Sequence, residues 1–277
     1  MNQARSPFAQ AVLERNFPED VVSSTGVEAI EGAPVLPEVA VAAANWDVPL
    51  TQTHARSLRK ASQEILTADL VIVAENGFIN PIRNLGYRGA IQSFDEIFED
   101  HDFTPADPGG MVPDAILREL GKVGALALRA VLDVKGYPHA HNIHVVIPHG
   151  VSDLGMALAH AQMARLSENA ILIDADLRAP LGDEIEELNL ERIYYDVEKL
   201  SGLPTHEIAT GQILTHIRQV NFPEKYFLSP EWRTWIQQLA DKAPVVLITA
   251  PRHSRVRRLA DSYLSSFIAD EFTVISA

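Results

Sequence analysis

Apolar residues along this chain fall into two patterns, short unbroken runs and longer segments where they return every third or fourth position. The run Leu70 to Val73 has the character of a parallel strand buried on both faces. Around it, Ser6-Pro7 followed by Phe8, Ala11 and Val12 predicts a helix opened by a hydroxyl cap, with proline at its first position. A short strand at Val21 to Ser24, a helix at Pro37 to Asn45 and a capped helix near Lys60 to Leu66 come next. A short strand at Gln92 to Phe94 and a long helix from Pro113 to Val134 close this part.

Gly136-Tyr137-Pro138 and the polar His139-Ala140-His141-Asn142 interrupt the periodicity and predict a linker over 137–142. Beyond it, strands at Ile143 to Ile147, Ala170 to Ile173, Val245 to Ile248 and Phe272 to Ile275 alternate with helices at Leu154 to Leu166 and Pro230 to Ala240. Strand and helix in alternation give an α/β chain. The expectation is two doubly wound parallel-sheet domains, 1–136 and 143–277. Sites in such sheets lie at the carboxyl ends of strands.

Composition narrows the chemistry. Lys and Arg number 23 against 37 Asp and Glu, a formal net charge of −14, which argues against broad binding to nucleic acid or an anionic membrane. Any anion site must therefore be local. No run is long and apolar enough for a bilayer, and Met1 to Arg5 is not followed by a signal-peptide apolar region, so a cytoplasmic protein without membrane insertion is expected. The 277 residues contain no cysteine, which removes disulfides, thiolate metal sites and a cysteine nucleophile from the chain as written. His139, His141 and His144 number enough for a metal site, but with no carboxylates nearby they read as a polar hinge. No metal or cofactor is expected.

Asn2-Gln3-Ala4-Arg5-Ser6-Pro7, opening a helix, has the makings of an anion cradle. Backbone N–H groups and the positive helix end attract phosphate, and Arg5 can grip it bidentately. The string N-x-A-R-S-P-F-A-Q-A at Asn2 to Ala11 resembles the phosphate loop of the low-molecular-weight protein-tyrosine phosphatases. The resemblance continues in order through Val22-Ser23-Ser24-Thr25-Gly26, Gly32-Ala33-Pro34, Ala55-Arg56-Ser57-Leu58, Ala68 to Glu75 and Asp107-Pro108. It implies a truncated form of that fold and a mechanism in which a thiolate attacks phosphorus, Arg5 clamps the phosphate and Asp107 protonates the leaving phenolate. Phosphate would lie on Asn2, Gln3, Ala4, Arg5 and Ser6, with Asn2 and Ser6 orienting the loop. Without the family, Asp107 reads equally well as a turn residue before Pro-Gly-Gly.

The departures from the family are specific. Its nucleophile position falls two residues before Met1, Ala4 replaces a second loop cysteine, and Thr53 or His54 stands where the family has a buried histidine. Two explanations stay open: a strand and cysteine encoded upstream, or a loop reduced to a phosphate-binding pseudophosphatase. Leaving fully apolar strands without a neighbour favours the first. An arsenate reductase on the same fold needs several cysteines and fails on that count.

In the second half, Gly150 and Gly155 keep the glycine spacing of a P-loop, while Met156 and Ala157 replace its lysine and hydroxyl. Ile171-Leu172-Ile173-Asp174-Ala175-Asp176-Leu177-Arg178-Ala179-Pro180 resembles the motif of bacterial tyrosine kinases and their MinD/ParA-type relatives. Thr249 stands where those have a Walker B aspartate. The resemblance implies a degenerate P-loop domain in which Gly150, Gly155, Asp174 and Asp176 are remnants of a nucleotide site, the two aspartates serving as structural caps. Arg252 to Arg258 forms a basic cluster at the expected ligand edge, read either as a dock for an acidic or phosphotyrosine partner or as a solvated helix start. Together the two resemblances imply phosphotyrosine control of capsule or exopolysaccharide synthesis. Expected partners are a phosphotyrosine protein, a tyrosine kinase or a polysaccharide export component.

Overall fold

The computed structural model describes residues 2–97, 105–135, 140–148, 169–175, 177, 191–202, 208–210, 212–217, 220, 224–248 and 269–275. The chain divides into two compact units, Met1–Tyr137 and Pro138–Ala277.

In the first unit, helices α1 (Arg5–Asn16), α2 (Pro37–Asn45) and α3 (Ser62–Thr67) lead to strand β1 (Leu70–Val73). Helix α4 (Ile79–Asn84), strand β2 (Ala90–Ser93), helix α5 (Phe94–Ile97) and the long helix α6 (Pro113–Lys135) follow. β1 and β2 pair in parallel, with Leu70 opposite Ala90 and Val73 opposite Ser93. Helix α6 buries an apolar stripe that includes Ile116, Leu120, Val123, Ala127 and Leu128, and α1 and α2 pack against it. Phe8 of α1 meets Trp46 edge to face at 4.9 Å between ring centroids. Tyr87 closes a second cluster with Ile65, Val73 and Ile82, and its hydroxyl lies 3.1 Å from the Ala68 carbonyl and 3.0 Å from that of Ala90. Burial pushes that phenol's pKa up.

Four expected elements come out differently. The capped helix expected near Lys60 to Leu66 is Ser62–Thr67 and has no side-chain cap, and the strand expected at Gln92 to Phe94 runs Ala90–Ser93, Phe94 opening α5 instead. Ser6 is not the cap of α1. The helix starts two residues earlier than expected, at Arg5 rather than Pro7, with Ala4 at the cap position, and the Ser6 hydroxyl is held instead in the hydrogen-bond network of Asn2. Val21 to Ser24 forms no strand. Val21 is fully exposed, Ser24 turns its hydroxyl to Asn2, and the only nearby ladder contact is a single bridge between Gly26 and Ser57. A strand needs a neighbour to pair with, and among the described residues none lies alongside this segment. β1 itself, although wholly apolar, leaves Leu70, Val71 and Ile72 only half-buried.

The second unit is a six-stranded sheet in which every described pairing is parallel. Its strands are β3 (Ala140–Pro148), β4 (Ile171–Asp174), β5 (Glu191–Tyr195), β6 (Gln212–His216), β7 (Val245–Ile248) and β8 (Ala269–Ile275), in the spatial order β5-β6-β4-β7-β3-β8. β5 and β6 are absent from the sequence expectations. Ile143, Val145, Ile171 to Ile173, Ile213, Leu214 and Val245 to Ile248 are buried, as a sheet covered on both faces requires. β3 begins at Ala140, three residues before the expected strand, and an irregularity between Ala140 and His144 accommodates Asn142 at φ 80°. Helices α7 (Glu224–Phe227) and α8 (Pro230–Ala240) precede β7. Ser229 caps α8 by accepting from the Trp232 N–H at 3.2 Å. Trp232 and Trp235 fill the space beneath the sheet, the latter 5.2 Å from the Tyr195 ring. The expected helix Leu154 to Leu166 lies outside the described residues.

Candidate functional site

The residues around the start of α1 are held from three directions, and Asn2 is the node. Its side chain is fully buried. Oδ1 accepts from Gln52 Nε2 at 2.6 Å and from the Arg56 backbone N–H at 2.8 Å. Nδ2 donates to Ser6 Oγ at 2.8 Å and to Ser24 Oγ at 3.1 Å. An Asn amide offers two donors and two strong acceptor positions, so all four are used. The backbone N–H of Arg56 can only donate, which fixes which end of the Asn2 amide is oxygen. Gly26 packs on the same residue so closely that a Cβ there would lie 2.7 Å from the Asn2 nitrogen. Gln3 turns the other way, donating to the Pro34 carbonyl at 2.9 Å while its own carbonyl accepts from the Leu36 N–H at 2.8 Å. Ala4 is buried at the cap position.

This bracing presents the N-terminus of a 12-residue helix that no side chain caps. First-turn amides of a helix lack intrahelical partners, and the positive helix end favours an anion beside them. Arg5, the first helical residue, supplies the side-chain charge. Its Nη2 pairs with Glu75 Oε1 at 2.8 Å and lies 3.8 Å from Asp107 Oδ2, while Nη1 donates to the Pro105 carbonyl at 3.2 Å. The Arg5 side chain is only 10% exposed, against 61% for that of Asp107. Glu75 sits just past β1, at the carboxyl edge of the sheet.

The Asp107 loop is braced in turn. Asp107 Oδ1 accepts from the Gly109 N–H at 3.0 Å, the Asx turn expected of an Asp before Pro-Gly-Gly, and Gly110 takes φ 80°. Glu119 of α6 accepts from the Ala106 N–H at 2.9 Å and pairs with Lys122 at 3.2 Å. Asp107 thus serves as a turn residue and also faces Arg5.

Asn2, Arg5, Ser6 and Asp107 converge in one place. Thr53 and His54 do not join them. Both are exposed and bonded to each other, Thr53 Oγ1 to His54 Nδ1 at 3.0 Å, and Gln52 reaches Asn2 instead. Gln52, Ser24, Glu75 and Glu119 are missing from the sequence-derived site. Ser24 and Glu75 carried a usable signal, both standing in the ordered strings of the sequence, and Glu75 directly follows the apolar run of β1.

Nearby, Arg56 forms a close two-pronged ion pair with Glu64. The Arg56 hydrogen bond holds the Glu64 carboxyl below its ordinary pKa.

In the second unit, Asp174 is fully buried at the end of β4, and its carbonyl accepts from Tyr195 Oη at 2.8 Å. Burial, with the Asp174 charge adding to it, raises the Tyr195 pKa well above the usual value. Gly150, Gly155, Asp176, Thr249 and the basic segment Arg252 to Arg258 lie outside the described residues.

No family model and no curated protein matches the chain. Among solved structures, it is similar to Vibrio vulnificus Wzb in complex with benzylphosphonate, with 22% identity, 46% of this chain, 88% of that one and a TM-score of 0.41. It is likewise similar to the Erwinia amylovora tyrosine phosphatase AmsI, with 24% identity, 48% of this chain, 86% of that one and a TM-score of 0.42. Similarity also extends to the kinase domain of the Escherichia coli tyrosine kinase ETK, with 15% identity, 57% of this chain, 64% of that one and a TM-score of 0.37. The chain thus bears likeness to bacterial tyrosine phosphatases and, separately, to a bacterial tyrosine-kinase domain.

Proposed function

We propose that the first unit is the phosphate-binding part of a phosphotyrosine-protein phosphatase. The observation that carries this reading is the convergence of a buried, carboxylate-paired Arg5 and an exposed Asp107 on the uncapped start of α1, beside a loop locked by Asn2. In the reaction, a thiolate attacks phosphorus and the bond to the phenolic oxygen breaks. Arg5 and the loop amides hold the equatorial oxygens, and Asp107 gives its proton to the leaving phenolate. Water then cleaves the thiophosphate.

The 277 residues contain no thiol, so catalysis in this reading uses a cysteine encoded upstream of Met1. The partial burial of Leu70 to Ile72, whose side chains alternate between the two faces of β1, favours it, since a further strand alongside would extend the sheet and its cover over them. The absence of cysteine equally favours a second reading, in which the same cradle binds phosphate or phosphotyrosine without turnover, as an adaptor.

The proposed domains are a phosphatase-like 1–136 and a kinase-like 143–277 without transfer chemistry, joined through 137–142, whose last three residues already belong to β3. In this reading the second domain places the first on a tyrosine kinase or its phosphorylated substrate in polysaccharide export. No helix among the described residues is long and apolar enough to cross a membrane.

The test is hydrolysis of p-nitrophenyl phosphate at mildly acidic pH by this chain and by one extended through the in-frame upstream codons, each with an Arg5→Ala control. Turnover in the extended form alone, abolished by Arg5→Ala, supports the phosphatase. Inactivity of both, with Arg5-dependent phosphate binding, supports the adaptor.

A further inference from the structure

We propose that Gln52 is the positioning residue of the anion loop, and that its uncharged amide keeps the loop's geometry independent of pH across the neutral range. The proposal rests on the phosphate-site reading above and names a residue that reading does not use. Of the four groups bonded to Asn2, one is a backbone N–H and two are serine hydroxyls, which can donate or accept as required. Gln52 is the only side chain that must donate. The Arg56 N–H already fixes Oδ1 on that side, and the 2.6 Å contact leaves room only for a hydrogen between the two atoms. Gln52 therefore ties the segment before Ala55 to the first residue of the cradle, and Asn2 passes that constraint to Ser6 on the first turn of α1.

The geometry makes an isosteric test available. In Gln52→Glu, an ionised carboxylate would set oxygen against Asn2 Oδ1, and the bond would turn into repulsion. Protonation of the new carboxyl restores a donor, so the defect should be reversed by acid. Partial burial and the facing oxygen both raise the pKa of such a carboxyl, bringing the reversal above the ordinary glutamate range. Other ionisable groups on the surrounding segments are His54, Arg56 with Glu64, Glu31 with Lys60, and Arg5 with Glu75 and Asp107. They are common to wild type and both Gln52 variants and cancel in the ratio of each to wild type.

Sulfate is the probe, since it remains a dianion throughout the range where phosphate titrates. Its affinity is measured by calorimetry on the full chain at about pH 7.5 and about pH 5 for wild type, Gln52→Glu, Gln52→Met and Arg5→Ala. Gln52→Glu is expected to bind roughly tenfold or more weakly than wild type at the higher pH, and within about threefold at the lower. Gln52→Met, similar in length and without a donor, should be weakened by a similar factor at both. A purely structural role would lower thermal stability without this pH-reversible ratio. If Gln52→Glu follows wild type at both values, or Gln52→Met binds normally, the positioning role is wrong while the anion site stands. Should Gln52→Glu fail to fold at the higher pH, the Gln52→Met comparison decides alone. Sulfate binding that is absent, or indifferent to Arg5→Ala, overturns the anion site and this proposal with it.

Discussion

Replacing Asn2 by alanine removes the node on which the cradle depends. Four hydrogen bonds disappear, to Gln52, the Arg56 N–H, Ser6 and Ser24. At a net value of about 1 kcal/mol each, their sum is about 4 kcal/mol. Three of the four are only partly buried, so their freed groups regain some water, and a loss of about 2–3 kcal/mol is expected. Only the bond to Ser24 is wholly buried, and its hydroxyl has little else to turn to. Amide hydrogen exchange followed by peptide assigns the effect to the Met1–Tyr137 unit. Where exchange requires opening of that unit, rates should rise about 30- to 140-fold, a tenfold change for each 1.4 kcal/mol. Asn2→Asp provides the contrast. A carboxylate can still accept from Gln52 and Arg56, and both serine hydroxyls can turn to donate to it, so most of the stability should survive. The new negative charge beside the helix start should nevertheless oppose anion binding. A loss below about 1 kcal/mol in Asn2→Ala, or equal losses in the two variants, would refute the view of Asn2 as a saturated buried node.

Gly26→Ala should cost about 1–3 kcal/mol in thermal unfolding, because the added Cβ would meet Asn2 backbone at 2.7 Å; a neutral result would show that the two segments part freely. Glu64→Gln should lower stability at neutral pH by less than about 1 kcal/mol, the pair with Arg56 being well exposed to solvent. Because the folded carboxyl titrates below its ordinary value, that contribution is present above about pH 4.5 and is lost as the pH falls through the lowered folded value. Wild-type and variant stability curves should therefore merge in acid. Tyr195 has the opposite sign. Its raised folded pKa gives stability that is intact below about pH 10 and lost as the pH rises beyond it. Its tyrosinate absorbance should appear only with alkaline unfolding of the second unit, a component that Tyr195→Phe removes; ionisation without unfolding would contradict its burial.

Much of this architecture was legible because strong local signals agreed with burial. Leu70–Val73, Pro37–Asn45, Pro230–Ala240 and Val245–Ile248 appear at the expected bounds. Each joins an apolar run or periodicity to a proline or a polar break. Glu191–Tyr195 and Gln212–His216 were missed because their polar and apolar residues are mixed, as suits β5 at the sheet's edge and a β6 that ends in the buried Thr215 and His216. Val21 to Ser24 shows the converse, a strand-like composition with no strand to pair with among the described residues. At the site, Asn2, Arg5, Ser6 and Asp107 could be read from an ordered string of motifs. Gln52 and Glu119 could not, since their roles arise from contacts 50 and 13 residues away in sequence. Nothing local marks a glutamine or glutamate for such a role.

The central claim is that Arg5 and the start of α1 form an anion site. Titration of inorganic phosphate into the 277-residue chain, followed through the backbone amide resonances of Gln3 to Phe8, tests it most directly. The account predicts saturable shifts confined to that segment and its Gln52, Glu75 and Asp107 neighbours, abolished by Arg5→Ala. Absence of shifts there, or shifts that persist unchanged in Arg5→Ala, would contradict it.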